Sequence, residues 1–201
     1  MRVVDSVNDP VGARDAAVAS LAVGEVVVLP TDTVYGLAAT AGDAAATAAL
    51  FDIKQRPVDR QVAVLVSGTS QLRGLTSEPA APLARLISGV WPGAVTVVLD
   101  SPDGTLGVRC PDHSWLLELL EVTGPLATTS ANLHGEPPLH SVADIATTLG
   151  TWSGLVVDGG DCEGDVSTVV ALRDGKLEIL RQGAVEAEAI FIAAGVGGST
   201  S

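Results

Sequence analysis

Val26-Val27-Val28-Leu29-Pro30-Thr31-Asp32-Thr33-Val34-Tyr35-Gly36-Leu37 runs from an apolar segment straight into a polar loop. Val26 to Leu29 are all apolar and mostly β-branched, which reads as a buried strand. Pro30 has no N–H for a ladder bond and ends it. Two threonines, an aspartate and a tyrosine follow, and Gly36 breaks the geometry again. Hydroxyls and a carboxylate there suit a ligand site, because open α/β sheets bind ligands outside their strand ends. The same residues suit a capped turn in which Thr and Asp serve only the backbone. Spacing alone leaves both readings open.

Working outward, strands and helices mix along the whole chain. Asp9-Pro10 is a helix start, with Val18, Leu21 and Ala22 as the apolar face and Gly24 as the stop. Asp43 caps an Ala-rich helix that puts Ala46, Ala49, Leu50 and Ile53 on one side, and Pro57 stops it. Val62–Val66 is a second strand. Leu83, Leu86, Ile87 and Val90 predict a helix ending near Trp91-Pro92-Gly93. Val95–Leu99 is a strand, Ser101-Pro102-Asp103-Gly104 a turn, and Thr105–Cys110 a short strand carrying Arg109. Trp115, Leu116, Leu119 and Leu120 mark a helix that ends before Gly124-Pro125. Leu126–Thr129 is a strand running into Ser130-Ala131-Asn132. Ser141 and Asp144 form a capping box for a helix up to Gly150. Leu155–Val157 is a strand, and 166–172 with 177–181 a hairpin across Asp174-Gly175. A last helix spans Val185–Ala194, and the tail after it reads as disordered. No linker separates two domains and no repeat occurs, so the expectation is one α/β domain over 1–194 around a mixed sheet, with a disordered tail at 195–201.

Composition excludes several classes. The 201 residues are 47% hydrophobic but only 3% aromatic, so the core is aliphatic and base-stacking platforms are scarce. Net charge is −13, which repels phosphate backbones at long range. Two cysteines, Cys110 and Cys162, are too few for a disulfide framework, so free thiols are expected. No basic-then-apolar leader and no run of membrane-spanning length is present, so the expected location is cytoplasmic, without membrane contact. A P-loop, a Gly-x-Gly-x-x-Gly turn after a strand and a Gly-x-Ser-x-Gly elbow are all absent. His113, His134 and His140 make no zinc spacing with the cysteines, and no protein-held metal is expected. Asp158, Asp161, Glu163 and Asp165 lack a calcium-loop pattern and read as solvated turn residues.

In so acidic a chain the cations are informative by position. Lys54 and Arg56 stand at a helix end, and Arg109 and Arg181 end strands. They could converge on an anion. Charge alone favours the plainer reading, in which Lys54 and Arg56 complement the helix dipole and the others sit on the surface. Ser130 and Asn132 suit a ligand or a cap, and Ser167-Thr168 is a hydroxyl pair in an apolar strand that must find partners.

Seven segments in order resemble the YrdC/Sua5 family. They are Pro30–Leu37, Lys54-Gln55-Arg56-Pro57, Trp91-Pro92-Gly93, Gly107–His113, Thr129-Ser130-Ala131-Asn132, Asp158-Gly159-Gly160 with Ser167–Val170, and Leu180-Arg181-Gln182-Gly183. The resemblance covers roughly Val26 to Gly183. It implies a YrdC-like domain, a twisted mixed sheet with flanking helices around a concave, positively charged cavity. Members with this architecture are L-threonylcarbamoyladenylate synthases. The implied reaction takes L-threonine, bicarbonate or CO2, and ATP with Mg²⁺ to threonylcarbamoyl-AMP and pyrophosphate. A separate transfer complex then moves the threonylcarbamoyl group to adenosine 37 of tRNA. Carried over by position, Thr33, Arg109, Thr128 and Ser167 hold the threonine. Lys54, Arg56, Thr105, Ser130, Asn132 and Arg181 surround the nucleotide, with Lys54 and Arg56 as the catalytic cations. Arg60-Gln61, Leu65 and Ala94-Val95 depart from the usual pattern. One rival reading is a hydrogenase-maturation relative of the same fold, which sits in a much longer chain. The other is an RNA-binding or ribosome-maturation factor; the charge and scarce aromatics count against it, leaving at most a weak RNA contact.

Overall fold

Four helix starts are written in the sequence as acceptor side chains. Asp9 accepts from the Gly12 N–H and opens α1 (Pro10–Ala22). Asp43 accepts from the Ala45 and Ala46 N–H groups and opens α2 (Ala44–Ile53). Ser141 caps α5 (Val142–Thr148) by accepting from the Asp144 N–H, while its hydroxyl donates to the Asp144 carboxylate. These caps satisfy N–H groups that a helix leaves unpaired. The remaining helices are α3 (Ala81–Val90), α4 (Ser114–Thr123) and α6 (Ala187–Ala194). The computed structural model describes residues 1–54, 62–133 and 135–196.

Ten strands form one mixed sheet: β1 (Arg2–Asp5), β2 (Val27–Leu29), β3 (Gly36–Thr40), β4 (Ala63–Leu65), β5 (Val95–Ser101), β6 (Gly104–Arg109), β7 (Leu126–Ser130), β8 (Leu155–Asp158), β9 (Thr168–Arg173) and β10 (Lys176–Arg181). Their spatial order is β1-β8-β2-β3-β7-β4-β6-β5-β9-β10. The β9–β10 turn is the expected one: Asp174 and Gly175 both take positive φ, at 50° and 74°, as a tight hairpin turn requires.

Three pairs of helices cover this sheet. α2 and α5 pack on Val28, Leu37, Ala39 and Val156. α3 and α6 pack on Val64, Val95, Val97, Val108 and Val170. By strand alternation these two clusters share one face. On the other face α1 and α4 cover Val27, Leu29, Ala38, Leu65, Leu126 and Leu155. That layer ends near β4, and the rest of the face, over β7-β4-β6-β5-β9-β10, is left open as a hollow.

Three elements differ from the sequence reading. β1 is an edge strand with a single half-buried residue, Val4, so it carries no alternation to detect. β3 is not anticipated by the sequence, because Gly36-Leu37-Ala38-Ala39 is poor in β-formers. It becomes a strand by lying between β2 and β7 with both faces buried. On α1 the buried stripe is Ala13, Ala17, Ser20 and Leu21, with Ala22 exposed, because the small residues let α4 approach closely. A 3₁₀ turn at Thr69–Leu72 was also unforeseen. The tail at 197–201, His134 and Pro57 lie outside the described residues.

α4 begins on His113, whose Nδ1 accepts from the Leu116 N–H at 3.3 Å. Only a neutral ring can accept there. Burial holds the His113 pKa below its ordinary value, against the opposing charges of Asp32 and Asp112. A histidine with a lowered folded pKa adds stability above its unfolded pKa of about 6.5, and that stability is lost as pH falls through the folded value. Thermal midpoints are therefore expected to drop between pH 7 and pH 5. His113→Asn, which caps without titrating, should flatten that acid limb; an unchanged slope would exclude His113 as its source.

Candidate active site

The hollow is built from strand alternation. Residues paired across neighbouring strands point to the same face, so the register fixes its walls: Gly36↔Ser130, Ala63↔Thr128, Ala63↔Gly107, Leu65↔Arg109, Thr96↔Val169 and Val169↔Arg181. The cavity measures about 390 Å³. Its floor is Ala63 and Gly107, where small side chains leave room. A register shift between Ile179 and Arg181 turns Arg181 toward the same face as Val169.

Arg109 is the best-fixed cation. Its side chain is 7% exposed. Nε donates to the Gly93 carbonyl at 2.9 Å, Nη1 to Thr33 Oγ1 at 2.8 Å, and Nη2 to Asp32 Oδ1 at 2.5 Å. Among the described residues those are three of its five N–H groups, which leaves two for a ligand. Burial pulls the Arg109 pKa down, and the charge of Asp32 pulls it back up. The Pro30–Gly36 loop is held from within by Thr31, whose Oγ1 accepts from the Thr33 and Val34 N–H groups and donates to the Val34 carbonyl. Tyr35 anchors the loop from behind: its hydroxyl donates to the Gly160 carbonyl and accepts from the Gly159 N–H. Burial pushes that hydroxyl's pKa up to about 12, so it stays protonated.

Arg181 stands at the mouth. Its Nε and Nη2 donate to the Ser167 carbonyl at 3.2 and 2.8 Å, and Nη2 also to Ser167 Oγ at 3.1 Å. Burial lowers its pKa, and the charge of Arg109 lowers it further. Two guanidinium groups therefore feel one another across one cavity. Ser167 Oγ shares a 2.8 Å hydrogen bond with Thr96 Oγ1. Its neighbour Thr168 is structural, donating to the Val185 carbonyl and accepting from the Gly183 and Val185 N–H groups.

The structure thus brings Thr33, Arg109, Thr128, Ser130, Ser167 and Arg181 to one hollow. Lys54 and Asn132 stand behind that lining. Lys54, only 3% exposed, donates to the Ser130 carbonyl, to Ser130 Oγ and to Asn132 Oδ1, so it does not act as a surface charge at a helix end. Asn132 Nδ2 donates to the Leu133 and Glu136 carbonyls, which fixes the amide with its oxygen toward Ser130. Thr105 is exposed at the outer end of β6, on the face of Gly107 and Arg109 but outside the cavity lining. Arg56, Arg60 and Gln61 lie outside the described residues. Leu65, one of the departures, lines the cavity beside Arg109. Sequence reasoning missed Asp32 as the partner of Arg109 and Thr96 as the partner of Ser167. The only signal for Asp32 was its place between the two threonines.

Both cysteines are free and buried, and burial pushes the Cys110 thiol up to about 11. Among the described residues no group of three or more His, Cys, Asp or Glu side chains could hold a metal ion. Nor is any helix there long and apolar enough to cross a membrane.

A half-covered mixed sheet whose open face gathers two guanidinium groups and several hydroxyls defines an α/β domain for a small charged ligand. Residues 19–183 match the family model Sua5_yciO_yrdC, described as "Telomere recombination", and the chain belongs to that family. It is 37% identical over 192 residues to a putative threonylcarbamoyl-AMP synthase of Mycobacterium tuberculosis, covering 90% of this chain and 88% of that one. It is 36% identical to the threonylcarbamoyl-AMP synthase of Bacillus subtilis, covering 92% of this chain but 57% of that one. Among solved structures, Pyrococcus abyssi Sua5 complexed with L-threonine superposes with a TM-score of 0.87 at 31% identity, covering 96% of this chain and 60% of that one.

Proposed function

We propose that this chain is a threonylcarbamoyl-AMP synthase acting on L-threonine, bicarbonate or CO2, and ATP. The observation that carries the reading is Arg109, buried, locked by three partners and facing the same cavity as Arg181. The threonine amine bonds to the carbon of CO2 and gives a proton to water. A carbamate oxygen then bonds to the α-phosphorus as its bond to pyrophosphate breaks. Two anionic reactants must approach, and fixed cations lower that barrier by neutralising charge that grows on the phosphates. No protein nucleophile is needed, which suits a lining of arginines and hydroxyls.

Mg²⁺ enters with the nucleotide in this reading. The described lining offers hydroxyls rather than carboxylates, and Asp32 is taken up by Arg109, so the donor set does not fit a protein-held Mg²⁺. The product is a labile mixed anhydride and calls for an acceptor, the tRNA threonylcarbamoyl-transfer complex. A cytoplasmic location, one domain over 1–194 and at most a weak direct RNA contact belong to the same proposal. Purified protein given L-threonine, bicarbonate and MgATP is expected to release pyrophosphate in proportion to threonine, and less with serine. Release that is unchanged when threonine is omitted would overturn the reading.

A further inference from the structure

The sequence motifs leave Thr96 without a role, yet it stands in the middle of the cavity wall. Its strand, β5, lies between β6, which carries Arg109, and β9, which pairs with β10 and Arg181. Alternation along β5 sends Val95, Val97 and Leu99 to the helix-covered face and Thr96 and Val98 to the cavity. A Cβ on Gly107 would stand 3.3 Å from Thr96 Cγ2, so the methyl leans toward β6 and the hydroxyl is left on the side of Ser167. A β-branched side chain held this way does not swing.

The hydrogens of the pair can be counted. Thr96 Oγ1 and Ser167 Oγ lie 2.8 Å apart, and one hydrogen sits between them. Two hydroxyls carry two hydrogens, so one is left over. Arg181 Nη2 donates to Ser167 Oγ at 3.1 Å and takes no hydrogen from the pair. Neither hydroxyl makes a further hydrogen bond among the described residues. Both residues are buried and both line the cavity, so the spare hydrogen is turned into it. Arg181 decides which oxygen carries it. An oxygen that accepts from a cation is the stronger donor. In a cavity that holds two guanidinium groups the strongest acceptor is a bound anion. Ser167 therefore donates to the anion, and Thr96 donates to Ser167.

We propose that Thr96 is a positioning residue: by donating to Ser167 Oγ it holds the Ser167 hydrogen on a ligand oxyanion lying between Arg109 and Arg181. This rests on the function proposed above, in which charge grows where the carbamate and the α-phosphate meet. With Arg181 on one lone pair of Ser167 Oγ and Thr96 on the other, the hydroxyl has nothing but its hydrogen to offer. That donor is in place before charge develops, so it costs no reorganisation in the transition state. Without the Thr96 hydroxyl one lone pair of Ser167 opens, and the hydroxyl is free to turn that lone pair on the oxyanion.

Steady-state pyrophosphate release by Thr96→Val, Thr96→Ser, Ser167→Ala and the Thr96→Val/Ser167→Ala double variant tests it. Thr96→Val keeps the branched shape and removes the hydroxyl. Its kcat is expected to fall about tenfold, with KM for threonine and for ATP within about twofold of wild type. Thr96→Ser keeps the donor and should hold kcat near wild type, which separates the hydroxyl from the packing of the methyl. Ser167→Ala removes the group through which Thr96 acts, so adding Thr96→Val to it should change kcat by less than about twofold. Losses that multiply in the double variant, a serine variant as slow as the valine one, or a valine variant that raises KM at unchanged kcat overturns the assignment while the proposed function stands. A wild-type chain whose pyrophosphate release ignores threonine overturns both.

Discussion

Arg109→Ala is expected to abolish threonine-dependent pyrophosphate release and to cost about 3–5 kcal/mol of folding stability. The size follows from burial. The Arg109 and Asp32 side chains are 7% and 13% exposed and pair at 2.5 Å, so solvent screens them little. Removing the cation leaves the Asp32 carboxylate in a site with low access to water, where an unpaired charge is far costlier than the pair was worth. Thr33 Oγ1 and the Gly93 carbonyl lose a donor as well. Arg109→Lys does not repair this, because an ammonium cannot reach three differently placed acceptors in one plane. Removing Asp32 too, in Arg109→Ala/Asp32→Ala, should recover part of the stability and none of the activity. Urea unfolding midpoints with a coupled pyrophosphate assay separate these effects. A single variant that unfolds at the wild-type midpoint would show that the pair is not the electrostatic centre of the loop.

That pair also shows how far the sequence could be read. Arg109 was visible as a cation ending a strand, and the resemblance placed it in a site. Its burial was not visible, because burial depends on which strands lie beside β6. The chain order β4, β5, β6, β7 gives no hint that β4 lies between β6 and β7. Lys54 makes the same point more sharply. At the end of α2 it looks like a dipole-complementing surface charge, yet it turns inward to residues 76 and 78 positions away. Local signals carried what local physics decides. Asp43 as a cap, the Asp174-Gly175 turn and the Trp115, Leu116, Leu119 and Leu120 stripe all appear as expected. β3 did not, since Gly and Ala become strand only through the neighbours that bury them. Thr33 and Thr168 looked alike as hydroxyls in motifs. Only the folded structure separates one that faces the cavity from one spent on the Gly183–Val185 backbone.

Gly183→Ala is expected to be nearly as severe for turnover as loss of a guanidinium, although residue 183 has no side chain to contribute. A Cβ on Gly183 would stand 2.1 Å from the Val166 carbonyl oxygen and 2.5 Å from the Ser167 carbonyl carbon. Both are main-chain atoms, so no rotamer change relieves the contact. They cannot easily retreat. The Gly183 N–H is bonded to Thr168 Oγ1 at 3.1 Å and the Ala184 N–H to the Val166 carbonyl at 2.9 Å, which clamps the two segments together. The segments must separate by about an ångström, and Arg181 sits two residues upstream on one of them while Ser167 lies on the other. A misplacement of that size costs a positioned site about 100-fold in rate, and overpacking of this kind costs about 1–3 kcal/mol in stability. Gly68→Ala is the control, since nothing lies within 4 Å of its added Cβ and a change there is expected within about 0.5 kcal/mol. If Gly183→Ala turns over like Gly68→Ala, Arg181 does not act from where β10 holds it. A loss of turnover that exceeds the loss of folded protein would instead tie the close packing of Gly183 directly to the placement of Arg181 and Ser167.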